Sequence, residues 1–171
     1  MNQNLIISEN YPELVSMFLG DELYLVNEPK WYEELASEGG NKYRFLNIVS
    51  HGNEEIIPPA QKDFFFRMAN AIQTDRIKMD ADGFCVVNVQ NYKGLKWNNL
   101  VHLFSPKYCI FWGVDPHSMD VNCKFNGGAL LDDCKIIYVD SMDKIETDLT
   151  AKKMLWSMIQ RMFGMQSQAK K

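Results

Sequence analysis

Four short runs of almost uninterrupted apolar residues constrain the fold more than any other feature of this sequence. They are rich in aromatic and β-branched residues, the composition of strands that are buried on both faces of a sheet. The runs cover 43–50, 84–90, 108–114 and 135–141. Segments with helical spacing separate them, and strands that alternate with helices form parallel sheets with helices on both sides. The sequence therefore predicts a three-layer α/β/α fold whose central, mainly parallel sheet has about four strands.

Apolar residues at helical spacing predict the positions of three helices. The first begins after Pro58 and Pro59, because proline suits the first turn of a helix. The second runs from 97 to 104 and stops before Pro106. The third is expected from about 147 to 163, where the apolar residues fall on one stripe.

One stretch, 121–134, breaks the alternation of strands and helices. Its Asn-Gly-Gly at 126–128 favours a turn and is compatible with an extra edge strand. No internal repeat and no linker divides the chain. We therefore expect a single domain over 1–171, in which 1–30 can serve as a partner-binding N-terminal segment.

Charge, cysteine spacing and hydropathy exclude several classes of function. The formal net charge is −4, whereas a protein that binds nucleic acid directly shows a basic face or stripe, so such binding is expected to be weak or absent. The four cysteines form no Cys-x-x-Cys pair, so no metal or other cofactor is expected. The sequence shows no leader and no apolar run of membrane length, which predicts a cytoplasmic protein without membrane contact.

Polar residues follow each predicted strand, where ligands bind in open α/β sheets. The phrase FWGVDPHSMD at 111–120 resembles the water-activating loop of uracil-DNA glycosylases, with Asp115 orienting the water and His117 beside it. An enzyme of this kind would also use Asn88 or His51. However, the last strand lacks the histidine expected by that resemblance, and Asn88 precedes Asp115 in the wrong order. The residues therefore favour a turn at Asp115, with no catalytic set, over a glycosylase.

The N-terminal segment carries a second resemblance. Residues 19–29 read LGDELYLVNEP, which resembles the N-terminal segment of psi subunits of bacterial DNA polymerase III. That family has a Leu-Gly pair, an aromatic residue, a leucine two positions later and a closing proline. The corresponding residues here are Leu19, Gly20, Tyr24, Val26 and Pro29. Tyr24 replaces the usual tryptophan, and Val26 replaces the leucine.

The C-terminal region resembles the same family more strongly. The family closes with a serine near the end of the last strand, then an alanine, a basic residue and a Leu-Trp pair in a terminal helix. The corresponding residues here are Ser141, Ala151, Lys152, Leu155 and Trp156. Met142 stands where the family has a proline. The likeness spans about 11 to 163, with the strands and helices between its ends in the expected order.

This resemblance implies a fold similar to uracil-DNA glycosylases without their activity. It also implies an accessory subunit that joins clamp-loader subunits of DNA polymerase III through its N-terminal segment and holds a chi-like subunit. Aromatic and aliphatic anchors commonly carry such contacts. The residues expected to bind protein are Phe18, Leu23, Tyr24, Leu25, Val26 and Trp156. The alternative for each is packing within the domain, because apolar segments and tryptophans are usually buried.

Overall fold

A computed structural model describes residues 35, 37–52, 55–74, 77–90, 92 and 94–165. They form a mixed six-stranded sheet, four α-helices and one 3-10 turn. The strands are β1 (Ser37–Gly39), β2 (Phe45–Val49), β3 (Phe84–Asn88), β4 (Tyr108–Trp112), β5 (Gly127–Leu131) and β6 (Cys134–Val139). The helices are α1 (Pro59–Asn70), α2 (Trp97–Phe104), α3 (Met142–Thr147) and α4 (Leu149–Phe163), and the 3-10 turn is Pro116–Met119.

The sheet has the strand order β1-β3-β2-β4-β6-β5. Its four inner strands run parallel to one another, while β1 and β5 pair antiparallel at the two edges. The predicted α/β class is thus confirmed, whereas the prediction of about four strands omits the two antiparallel edge strands. The inner strands overlap the four apolar runs of the sequence, because a strand covered on both faces has few polar positions to interrupt it.

Alternate strand residues point to opposite sides of the sheet, and two separate apolar clusters result. The first face carries Phe45, Phe84 and Ile110, and helices α1, α3 and α4 cover it. The second face carries Leu46, Cys85 and Cys109. It is covered by α2, the 3-10 turn and the chain that leads to β5.

One polar side chain, Asn47, lies fully buried in the middle strand of the first face. Its Oδ1 accepts a hydrogen bond of 3.1 Å from Trp112 Nε1. Its Nδ2 donates one of 3.4 Å to the carbonyl oxygen of Cys85. Because a buried amide without partners would destabilise the core, these bonds explain how an asparagine is accommodated there.

The terminal helix agrees with the prediction to within two residues, because a helix is predicted from about 147 to 163 and α4 spans Leu149–Phe163. The short helix α3, which ends at Thr147, is not predicted. Between them Asp148 has an extended conformation, and its carboxylate accepts hydrogen bonds from Thr150 N at 2.7 Å and Ala151 N at 3.2 Å. Asp148 therefore acts as the N-cap of a new helix, which is a common role for aspartate.

The 121–134 stretch contains the extra edge strand that its sequence allows. Asn126 has a positive φ of 52° in a turn before β5. The hairpin between β5 and β6 closes at Asp132 and Asp133, whose φ values are 47° and 63°. Two successive positive φ values define the type I′ turn that suits a two-residue hairpin, although asparagine and glycine are its usual residues.

None of the helices in the described ranges has both the length and the apolar character that crossing a membrane requires.

Candidate functional site

The inner strands all end at one edge of the sheet, and the chain crosses to different sides on leaving them. From β2 it passes over the first face through α1, and from the neighbouring β4 it passes to the second face through the 3-10 turn. Neighbouring crossovers on opposite faces open a crevice at the carboxyl ends of the strands between them. The most plausible ligand position on this fold is therefore beside the ends of β2 and β4.

A cleft of about 280 Å³ occupies this position. We call it the edge cleft. Its lining includes Ser50, His51, Gln61, Trp112, Ser141 and Asp143. The Oε1 atom of Gln61 is buried and has no hydrogen-bond partner among the described residues. The cleft thus combines an apolar floor with several polar groups, of which only His51 belongs to the predicted catalytic set.

His51 and Asn88 lie together at the ends of adjacent strands. Asn88 Nδ2 donates to the carbonyl oxygen of His51 at 2.9 Å, and its Oδ1 accepts from His51 N at 3.3 Å. The Nε2 atom of the His51 ring lies 2.7 Å from the carbonyl oxygen of Ile56. These contacts tie the amide of Asn88 and the imidazole of His51 to nearby backbone, which is a structural use of both groups.

Asp115 and His117 lie on a different side of the sheet. Asp115 Oδ1 accepts a hydrogen bond of 3.0 Å from the backbone N–H of His117, which caps the 3-10 turn. Both residues are exposed, and the turn packs its Met119 into the second face. Burial, and after it the charge of Asp115, raises the pKa of the Tyr138 phenol, which belongs to that same face.

Gly113 explains this separation. Residues two apart in a regular strand point to the same face, yet Trp112 packs in the first cluster and Val114 in the second. The reversal occurs at Gly113, whose φ is 66°. A Cβ at Gly113 would lie 3.0 Å from the Cβ of Ser141, so a larger residue would be strained and crowded there. The left-handed glycine directs the following loop away from the edge cleft.

The predicted catalytic residues therefore form two pairs, one at the edge cleft and one at the 3-10 turn. Within the described residues, no hydrogen bond or ion pair joins His51 or Asn88 to Asp115 or His117. General acid–base catalysis needs groups within mutual reach of one reacting atom. The arrangement does not supply the set that a glycosylase would use.

The electrostatics of the edge cleft also argue against acid–base catalysis by its carboxylate. A hydrogen bond from the Ser141 side chain lowers the pKa of Asp143 below its ordinary value. Its carboxylate is therefore ionised at neutral pH. A carboxyl group that transfers protons near neutrality needs a raised pKa instead. Asp143 is suited to accepting hydrogen bonds and not to acid catalysis.

The cysteines are structural. All four are free and buried, and each packs in the second-face cluster. Burial raises the pKa of Cys85 to about 11 and that of Cys134 to about 12, and it raises those of Cys109 and Cys123 as well. Thiols of raised pKa are poor nucleophiles. Across the described ranges, no group of three or more His, Cys, Asp or Glu side chains is placed to hold a metal ion.

A second concave surface lies between α1 and α4, on the outside of the first face. This Trp156 groove has a volume of about 310 Å³. It is lined by Phe64, Arg67, Met68, Lys152, Leu155 and Trp156. Trp156 is half-buried and lines the groove. Of the residues predicted to bind protein, Trp156 is thus available at the surface, while Phe18, Leu23, Tyr24, Leu25 and Val26 lie outside the described residues.

Sequence reasoning missed the groove as a unit. It singled out Trp156 alone, because the partners of that residue come from a helix far away in the chain. The missed residues are Phe64, Arg67, Met68 and Lys152 in the groove and Gln61 in the edge cleft. Of the two cations, Arg67 is exposed and Lys152 is half-buried, and their positions in two separate helices give no signal in the sequence that they lie close together.

No protein-family model and no curated protein sequence matches this chain.

Proposed function

We propose that this protein is a non-catalytic, protein-binding accessory subunit that resembles the psi subunit of the DNA polymerase III clamp-loader complex. The Trp156 groove is the observation that carries the proposal. Tryptophan dominates many protein interfaces when it enters or lines an apolar pocket. Here an accessible tryptophan borders a groove between two helices, at a position that the resemblance assigns to the end of the family motif.

The chemistry of the groove suits a helix or segment from a partner protein. Phe64, Met68 and Leu155 provide an apolar floor, and Arg67 and Lys152 provide positive charge at the rim. The Lys152 ammonium lies 5.8 Å from the centre of the Phe64 ring, a favourable cation–π distance. An apolar floor with a charged rim is the usual anatomy of a protein interface. We assign this groove to a chi-like subunit.

The finer fold assignment belongs to the same proposal. Parallel inner strands with helices on both faces support a fold similar to uracil-DNA glycosylases. The 1–30 segment would join the clamp-loader subunits, leaving the Trp156 groove for the second partner. Four free, buried cysteines are in keeping with a reducing compartment, so the proposed location is the cytoplasm.

Binding of a purified chi-like subunit to this protein tests this assignment. We expect Trp156→Ala to weaken that binding by more than about tenfold, because an interface tryptophan commonly contributes about 2 kcal/mol or more. Met154→Ala is the matched control, because Met154 is exposed on the same helix but does not line the groove. Isothermal titration measures both affinities, and unchanged melting temperatures show that the fold is intact.

The N-terminal segment provides the complementary test. Changing Tyr24 and Leu25 together to alanine should weaken the complex with clamp-loader subunits and leave binding to the chi-like subunit unaffected. If neither set of changes alters either complex, or if no complex forms with the unchanged protein, the proposal is wrong.

The enzymatic alternative is tested directly with DNA that contains uracil or a mismatch. We expect both substrates to remain intact, because the Asp115 carboxylate is engaged in capping a turn and lies apart from His51 and Asn88. Excision of a base that disappears in Asp115→Asn would instead establish a glycosylase-like enzyme. Denaturing gel electrophoresis after alkaline cleavage of abasic sites gives the measurement.

A further inference from the structure

Strand β5 is an outer strand with few of the features that protect sheet edges. It reads GGALL and contains neither a charged residue nor a proline. Leu130 is 70% exposed, and Phe125 just before the strand is 50% exposed. An exposed apolar edge strand is a template for pairing with another strand, and proteins that avoid such pairing place lysine, proline or a bulge there. Within the described part of the chain no strand pairs with the outer side of β5, so this edge is open to a further strand.

The hydrogen bonds of β6 show which peptide groups of β5 point outward. Lys135 N donates to Lys107 O on the β4 side, and Val139 O accepts from Gly113 N on that side as well. The peptide groups of alternate residues in a strand point in opposite directions. The peptide groups of Cys134, Ile136 and Tyr138 therefore point toward β5. These residues pair there with Leu131, Ala129 and Gly127, respectively. The peptide groups of Gly128 and Leu130 remain directed to the free edge.

We propose that β5 pairs antiparallel with β5 of a second copy of this chain, about a twofold axis at Ala129. In this register Gly128 of each copy lies opposite Leu130 of the other. Both of these residues have outward peptide groups, so each such pair exchanges two backbone hydrogen bonds, as antiparallel pairing requires. The two sheets become one continuous sheet.

The side chains of the strand complement each other in this register. An added Cβ at Gly128 would touch only the Ile136 carbonyl oxygen, at 3.4 Å, so the space over this residue is open. It belongs to a groove of about 380 Å³ between β5 and α4. The exposed Leu130 side chain of the second copy lies directly opposite and enters that groove. Small residues at one end of the strand thus face large residues at the other end of its copy.

The charges next to the strand favour the same partner. The hairpin turn at Asp132 and Asp133 follows β5, and Lys124 lies shortly before it. Antiparallel pairing places the acidic turn of one copy beside Lys124 of the other, at both ends of the interface. Opposite charges at these positions favour this register over displaced ones. The size and charge complementarity of β5 with itself identifies a second copy as the occupant.

A cysteine at the twofold axis tests the register. Residues opposite each other in a non-hydrogen-bonded antiparallel pair have Cα atoms about 4.5 Å apart, within the range of a disulfide. Ala129→Cys should therefore form an intermolecular disulfide under mild oxidation, measured on non-reducing gels. Leu149→Cys is the control, since Leu149 is 65% exposed on α4 and the native cysteines are buried. Cross-linking of Ala129→Cys at or below the rate of Leu149→Cys overturns the proposal.

Sedimentation and hydrogen exchange test the pairing without a cross-link. The full chain should dimerise with rising concentration, and the amides of Gly128 and Leu130 should become protected in parallel. Leu130→Lys should weaken self-association by more than about tenfold, because it places a desolvated charge in the interface. Gly128→Val should do the same by filling the groove, whereas Leu149→Lys should dimerise like the unchanged chain.

Equal melting temperatures of dilute samples separate lost pairing from lost folding. A chain that stays monomeric over the dilution series, with both amides exchanging freely, overturns the proposal and leaves the edge to a strand from another protein. Dimerisation that survives both β5 substitutions also overturns it. These outcomes are independent of the Trp156 groove, which lies between α1 and α4.

Discussion

The two faces of the sheet are packed with different types of side chain. On the first face, aromatic rings meet edge to face, as in Phe65 with Phe84 at 5.0 Å and Phe45 with Phe163 at 5.2 Å, and three helices cover them. The second face contains all four cysteines, and among the described residues one α-helix, α2, covers it. Large interlocking rings bury more apolar area than thiols do. The comparison indicates that the first face contributes most to stability.

The largest expected effect comes from removing a ring at the centre of the first face. Phe65 is fully buried, so Phe65→Ala should reduce the free energy of unfolding by about 3–5 kcal/mol. Leu100→Ala, at a fully buried position of the second face, should cost less, about 2–3 kcal/mol. Urea denaturation of both variants measures the difference. A larger loss for Leu100→Ala would reverse the comparison between the faces.

The next effect concerns the polar contact within the first face. Asn47→Leu removes the acceptor for the buried Trp112 N–H and should cost about 1–3 kcal/mol of unfolding free energy. Adding Trp112→Phe removes the orphaned donor, so the double variant should lose less than the sum of the two single changes. Strict additivity in a double-mutant cycle would show that this hydrogen bond does not stabilise the first face.

Asp148 and Asp115 each cap a helical element, one on each face of the sheet. Substituting them therefore compares the elements that cover the two faces. Asp148 caps α4 on the first face with bonds to two backbone N–H groups, and Asp148→Ala should cost about 1 kcal/mol. Asp115 caps only the 3-10 turn on the second face through one such bond. Asp115→Ala should therefore cost less, about 0.5 kcal/mol. Thermal unfolding measures both, and a greater loss for Asp115→Ala would contradict the ranking.

The smallest expected effect comes from the buried thiols of the second face, because it appears only at alkaline pH. Burial raises the pKa of Cys134 to about 12. Above the ordinary thiol pKa, the unfolded chain ionises this group and the folded chain does not, so stability decreases as pH rises toward about 12. Cys134→Ala should weaken this pH dependence. Urea denaturation measured between neutral and alkaline pH tests it, and identical curves for both proteins would contradict the assignment.

The inner strands could be predicted because their residues are buried on both faces and leave a continuous apolar signal. The edges are different. Residues 37–39 read Ser-Glu-Gly, which carries no strand pattern, and β1 forms because β3 offers it an open edge. Helix α3 was also missed, because its six residues are too few to show an apolar stripe. Tertiary pairing and capping decide these elements.

The candidate site was predicted in part for a similar reason. The sequence placed His51 and Asp115 correctly in loops after strands, whereas Asn88, which was expected in such a loop, is the last residue of β3. Chain order does not state which side of the sheet each loop takes. That choice depends on one backbone angle at Gly113. The pairing of Trp156 with Phe64 and Arg67 likewise depends on how α1 and α4 pack, which periodicity alone does not determine.

The left-handed conformation at Gly113 has a consequence for attempts to install catalysis in this protein. Because the chain reverses its side-chain alternation there, exchanging the residues around the edge cleft would leave the acidic group of the following loop out of reach. A designer would have to rebuild the path of the main chain between 113 and 116 before any choice of functional groups could succeed.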